Sequence, residues 1–223
     1  MKFPNAAKGV RKIFSAEILS LIAALATGVA GILAVVSYSS YLDDNDVVFA
    51  ATSIPMIILG IAAGVLIVVS AIMGIIGYSQ ASKDDDYFKK ALYCIIIGFI
   101  LSFAANILVN QTGFLGWLCT VFNVLSEVSH LAVVIFSVMG IMNMSANCHE
   151  PDMVRKGALI IRLISMVYTL YIIDLFVIRV FRDNDFNRVL VIALSIASMV
   201  LSVAQYILYL NYLHSAKKML NKN

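Results

Sequence analysis

Charge is what this chain has least of. Aspartate, glutamate, lysine and arginine make up 13% of its 223 residues, while 61% are hydrophobic and the mean hydropathy is +0.94. Soluble domains carry roughly 25% charged residues. The few charges are also clustered, leaving several apolar runs of about 20 residues or more, each able to cross a hydrocarbon core of ~30 Å as a helix. That leaves no room for a soluble domain, and so none for nucleic-acid binding of the soluble type. The three cysteines, Cys94, Cys119 and Cys148, are odd in number and far apart. No C-x-x-C occurs, so neither a disulfide framework nor a dithiol motif follows. H-E-x-x-H, G-x-S-x-G and glycine-rich phosphate loops are all missing. The expectation is a protein that is not an enzyme and needs no cofactor.

What is present reads as an all-α, polytopic membrane protein forming a single integral membrane domain over residues 1–223. Hydropathy places six transmembrane helices at about 16–38, 53–78, 91–111, 115–142, 157–180 and 187–213. The apolar run Ile18–Leu42 exceeds the ~7–15 residues of a signal-peptide core, so the first helix is expected to be retained. Ahead of it, Phe3, Ala7, Val10 and Phe14 recur at helical spacing opposite Lys8, Arg11 and Lys12. That pattern predicts a short helix lying on the membrane surface.

Orientation follows from lysine and arginine placement. The N-terminus, the linkers after spans two and four, and the C-terminus together carry twelve, and the opposite side carries three: Arg179, Arg182 and Arg188. Both termini are therefore expected in the cytoplasm, and an even number of spans agrees with that. The short external loops point to a multi-pass protein of a bacterial inner membrane. There is also an internal echo. Met73-Gly74-Ile75 matches Met139-Gly140-Ile141 at an offset of 66, which lays Lys89-Lys90 on Arg155-Lys156. The pair Arg11-Lys12 precedes the first span in the same way. We read three tandem helical hairpins in one orientation. Such repeats are common in transporters, although the Pro-x-Asp/Glu-x-x-Lys/Arg signature of mitochondrial carriers is absent.

Against so little charge, Glu127 stands out. It interrupts an otherwise uncharged stretch from Ala91 to Cys148, near the middle of the fourth span. A carboxyl group at that depth is protonated, paired or hydrated, and it faces protein or a water-filled cavity rather than lipid. Thr120, Asn123, Glu127 and His130 share one helical face. Span six carries Ser195, Ser198, Ser202, Gln205, Tyr209 and Tyr212 at threes and fours, and span three carries Ser102 and Asn106. Span five adds Arg162 and Asp174. Glu127-x-x-His130 has the spacing of a carboxylate–histidine metal motif. With one such motif and three histidines, however, no metal site is expected. The first hairpin differs. Ala24, Gly28 and Gly31, then Gly60, Gly64 and Gly74, form small-residue faces that read as helix-packing surfaces.

Two function classes remain. One is a transporter or solute-binding subunit with a polar site between helices three and six. Its candidate ligand-binding residues are Asn106, Asn123, Glu127, His130, Asp174 and Ser198, and its partners are the lipid bilayer and a small polar or cationic solute. The other is a non-catalytic accessory or scaffold subunit that meets a membrane-protein partner through the Gly60–Gly64 face. An intramembrane enzyme would need two catalytic groups at one depth, which only Glu127, His130 and Asp174 could supply.

Overall fold

The computed structural model describes residues 3–42, 46–109, 113–180 and 185–222, with side-chain surroundings for all of these but 39–42, 46–50, 113, 171–180, 185–196, 198 and 199. Among the described residues there are six helices and no strand: α1 (Pro4–Leu42), α2 (Asp46–Ala81), α3 (Asp86–Leu108), α4 (Gly113–Asn147), α5 (Pro151–Val180) and α6 (Asp185–Lys222). Four of them hold stretches long and apolar enough to cross a membrane: Pro4–Tyr38, Ala51–Ala81, Asp86–Leu108 and Phe114–Asn147. Their outer faces are bare hydrocarbon. On α3, Phe99, Ile100, Phe103 and Ile107 are each 60% exposed or more. A contiguous apolar surface of this kind marks contact with lipid or protein, not water.

The chain divides into two compact units, Arg11–Gly77 and Met1–Val10 with Tyr78–Asn223. In the larger unit α3 packs on α4, α4 on α5 and α5 on α6, so two antiparallel hairpins stand side by side. The ends of α2 and α4, at Ala81 and Asn147, are separated by the same 66 residues as the Met-Gly-Ile triplets.

Local chemistry sets the helix ends. Asp85 is the N-cap of α3: its backbone is extended, and its carboxylate accepts the Tyr87 amide at 2.8 Å. This is the usual satisfaction of an orphan first-turn donor. Pro4 and Pro151 open α1 and α5, where a missing N–H costs nothing. At the end of α4 the His149 amide bonds the Ala146 carbonyl at 3.2 Å and the Glu150 amide bonds the Ser145 carbonyl at 3.0 Å. This paired reversal ordinarily uses glycine at the left-handed position. Here His149 occupies it, with φ of 60°. The loop triplet Cys148-His149-Glu150 thus has a structural task as a helix stop. Relieving the side-chain strain with His149→Gly is expected to raise stability by about 1 kcal/mol, read as a higher thermal midpoint in detergent.

The core of the larger unit lies at one end of its helices. Phe88, Val138, Ile141, Met144, Ile164 and Leu213 are fully buried there. Asp84, in the α2–α3 turn, accepts from Asn5 Nδ2 at 2.8 Å and from the Ala6 amide at 2.7 Å, capping the start of α1. The free carboxylate oxygen of Asp85 accepts from Asn143 Nδ2 of α4 at 2.6 Å. Ser145 Oγ of α4 lies 3.3 Å from Met219 Sδ of α6. The N-terminus, the α2–α3 turn, the end of α4 and the end of α6 therefore meet in one place. The expected surface helix at residues 3–14 is instead the first part of α1. Ala6, Ala7 and Val10, at most 2% exposed, belong to the larger unit's protein core. An amphipathic pattern declares that a face needs cover, and protein supplies that cover here. Asp84→Ala should cost about 1–2 kcal/mol and speed tryptic cleavage at Lys8, Arg11 and Lys12.

In the smaller unit the buried seam has a seven-residue period. Ala16, Ala23, Ala30 and Ser37 on α1 are at most 9% exposed, as is Ala63 on α2. Ser70 Oγ donates to the Ala16 carbonyl at 2.8 Å, and a Cβ at Gly74 would stand 3.9 Å from Ala16 Cβ. Alanine and serine at heptad spacing let two helices approach closely. Gly28, Gly31, Gly60 and Gly64 lie off this seam, with no neighbouring atom within 4 Å of a Cβ placed on any of them. Gly74 is the one expected packing glycine of this hairpin that sits in an intrachain contact. The Gly60–Gly64 surface is open.

Candidate functional site

Glu127 lies 14 residues from the start of α4 and 20 from its end, or ~21 Å and ~30 Å along the axis at 1.5 Å per residue. Its half-buried side chain borders a cavity of about 220 Å³ between α4, α5 and α6, lined by Glu127, Val167, Tyr168, Ser202, Gln205 and Tyr206. All three helices run without a break through this region, so the cavity wall is made of side chains. Helical spacing explains the lining. Val167 and Tyr168 are adjacent on the inward edge of α5. Ser202, Gln205 and Tyr206 are three and four apart and share one face of α6.

Among the described residues the lining holds one carboxyl, two phenols, one hydroxyl, one amide and an isopropyl group, with no lysine, arginine or histidine. Glu127 is the one acidic side chain among these described lining residues. Such a site accepts hydrogen bonds and attracts a positive charge. Among the described residues, no cluster of three or more histidine, cysteine, aspartate or glutamate side chains is placed to hold a metal ion.

The other candidates fall elsewhere. His130, three residues on from Glu127, is exposed and turns towards α3, its Nε2 lying 4.0 Å from where a Cβ on Gly98 would stand. Asn123 is exposed and donates weakly to Cys119 Sγ at 3.6 Å. Asn106 is exposed on α3 and donates to the Ser102 carbonyl at 3.0 Å. Arg162 is exposed on α5. Asp174 and Ser198 lie outside the described side chains. The polar residues of α3 serve helix contact instead. Ser102 and Ser126 share a hydrogen bond of 2.6 Å, Ser126 Oγ also reaches the Gly98 carbonyl at 3.2 Å, and Cys119 Sγ donates to the Ala105 carbonyl at 3.4 Å. α3 contributes nothing to the cavity lining.

Sequence reasoning named Ser202 and Gln205 as part of the polar face of α6 and missed Val167, Tyr168 and Tyr206. Tyrosine and valine in an apolar helix read equally well as lipid-facing, and no spacing signal separates the two. Comparison of the chain with known protein families, with characterised proteins and with solved structures finds no match.

Proposed function

We propose that this chain is a six-span membrane bundle with both termini in the cytoplasm, and that it binds a small polar or cationic solute in the Glu127 cavity as a transporter or solute-binding subunit. The observation that carries the reading is a carboxyl group at mid-helix, facing a cavity shared by three helices whose described lining residues offer no positive partner. An ionisable group at that depth, with no counter-charge among its described neighbours, is a functional-site hypothesis by default. At ~30 Å³ per water the space holds about seven water-sized groups, which sets the size of the solute.

The topology draws support from the end of the bundle where the N-terminus, the α2–α3 turn and the ends of α4 and α6 meet. The N-terminal segment, the α2–α3 turn with the start of α3, the start of α5 and the end of α6 carry twelve of the sixteen basic residues, as the positive-inside rule requires of one cytoplasmic face. Phe114 and Trp117, stacked at 6.2 Å and more than half exposed at the start of α4, suit the opposite interface, where aromatic residues collect. With Cys94 and Cys119 replaced by serine, a membrane-impermeant maleimide should label Cys148 in inside-out vesicles and leave it unlabelled in intact cells. Labelling from the outside would reverse the topology.

The binding reading is tested by cation-dependent thermal stabilisation of the protein in nanodiscs. Glu127→Gln should abolish a stabilisation that the wild type shows. The accessory-subunit reading has one observation in its favour, the uncovered Gly60–Gly64 surface. It requires that Gly60→Leu with Gly64→Leu leave the isolated protein folded but release a partner that otherwise co-purifies in stoichiometric amount.

A further inference from the structure

We infer that the Glu127 cavity selects a small organic ammonium ion over inorganic cations, an assignment that rests on the cavity being a solute site. Three properties of the lining separate the two kinds of cation. First, hard divalent ions take six to eight oxygen ligands, with carboxylates supplying much of the charge. Among the described lining residues a single carboxyl is joined by one amide and three hydroxyls.

Second, sodium and potassium are stripped of water by rings of carbonyl oxygens or by the unwound backbone of broken helices. α4, α5 and α6 run unbroken past the cavity. Their carbonyls are committed to the helical ladder and cannot replace a hydration shell.

Third, two of the six described lining residues are tyrosines, one from α5 and one from α6, and a third is Val167. Alkylammonium ions are weakly hydrated and carry apolar surface. An aromatic ring solvates such a cation through its quadrupole, and the attraction grows where water is excluded. Glu127 supplies the opposite charge, Tyr168 and Tyr206 supply aromatic rings and Val167 apolar surface in the lining. Ser202 and Gln205 can accept N–H or O–H donors from the ligand. The cavity of about 220 Å³ suits a ligand of roughly five to ten non-hydrogen atoms, at ~30 Å³ for each water-sized group.

Choline chloride and its neutral isostere 3,3-dimethylbutan-1-ol make the direct probe, with sodium, potassium and magnesium chlorides at matched ionic strength. The wild-type protein in nanodiscs is titrated with each, and binding is read by isothermal calorimetry and by thermal midpoint. Choline should bind and raise the midpoint by several degrees, while the neutral isostere and the inorganic salts leave it within a degree. Glu127→Gln should lose choline binding, and Tyr206→Leu should weaken it about 5- to 30-fold, the usual range for one cation–π contact. Tyr206→Phe keeps the ring and should hold affinity within about threefold, which serves if the leucine variant does not fold. Binding of inorganic cations without choline would overturn the ammonium assignment and leave the Glu127 cation site standing. Equal binding of the neutral isostere would overturn the role of charge. No binding of any cation, with Glu127→Gln indistinguishable from wild type, would overturn the solute-site reading itself.

Discussion

Phe88→Ala is expected to lower the stability of the larger unit by about 3–5 kcal/mol, the range for deleting a fully buried aromatic side chain. Phe88 is fully buried, and its ring lies 6.3 Å from that of Tyr78, tilted by 45°. Tyr78 in turn shares a 2.8 Å hydrogen bond with the buried Ser137. The ring of Phe88 also fills the space that a side chain at Gly140 would occupy, with Cε2 2.6 Å from the ideal Cβ position there. Alanine would open a cavity at the point where α3, α4 and the end of α2 converge. The remaining groups cannot close it, because a glycine stands opposite. For a chain of this length ~1 kcal/mol corresponds to roughly 2–4 °C, so the thermal midpoint should fall by about 10 °C. A fall of a degree or two would mean that this end of the bundle is not the core of the unit.

The second large effect concerns Gly157. A Cβ on Gly157 would stand 2.6 Å from the Tyr212 hydroxyl and closer still to Met142 Cγ. Tyr212 is 3% exposed and has nowhere to go, so α5 must lose its contact with α4 and α6 or the tyrosine must leave its rotamer. Overpacking of this kind costs about 1–3 kcal/mol, and Gly157→Leu should cost at least that or prevent folding. The sign is diagnostic, because alanine exceeds glycine in helix propensity by about 1 kcal/mol. Gly157→Ala and Gly140→Ala should therefore destabilise against propensity. Gly60→Ala and Gly64→Ala, with open space beside them, should stabilise by about 0.5–1 kcal/mol. Thermal midpoints of the four variants in one detergent decide the matter. All four moving in the same direction would contradict the packing described here.

These glycines show where the sequence speaks and where it falls silent. Hydropathy reports how much of a helix is apolar, and each of the six helices overlaps one of the expected spans, four of them with stretches long and apolar enough to cross a membrane. It could not report that α4 runs to Asn147 and α6 to Lys222, because those ends are held by packing that does not depend on hydropathy. Glycine spaced by four drew attention to Gly60 and Gly64, yet the seam of that hairpin is built from alanines seven apart. Alanine is too common in such helices for the pattern to stand out. Gly140 and Gly157 gave no packing signal, since their meaning depends on Phe88 and Tyr212 arriving from other helices.

Glu127 was legible for the opposite reason: scarcity of charge makes one carboxyl conspicuous. Its neighbours were legible only in part. Ser202 and Gln205 follow from the polar face of α6. Tyr168 and Tyr206 required knowing that α4, α5 and α6 converge. His130, which shares a helical stripe with Glu127 on paper, sits 300° further round the helix after three residues at ~100° each, and that 60° offset is enough to turn it towards α3.

The central claim is that Glu127 is kept for a ligand and not for the fold. The most direct test compares wild type and Glu127→Gln in nanodiscs, with and without choline, by thermal midpoint. Removing a carboxyl that has no basic partner among the described residues of its cavity should leave the ligand-free midpoint unchanged or higher while eliminating the rise that choline produces in the wild type. A lower ligand-free midpoint for Glu127→Gln, with the choline response intact, would show that the carboxyl holds the bundle together and would contradict the account.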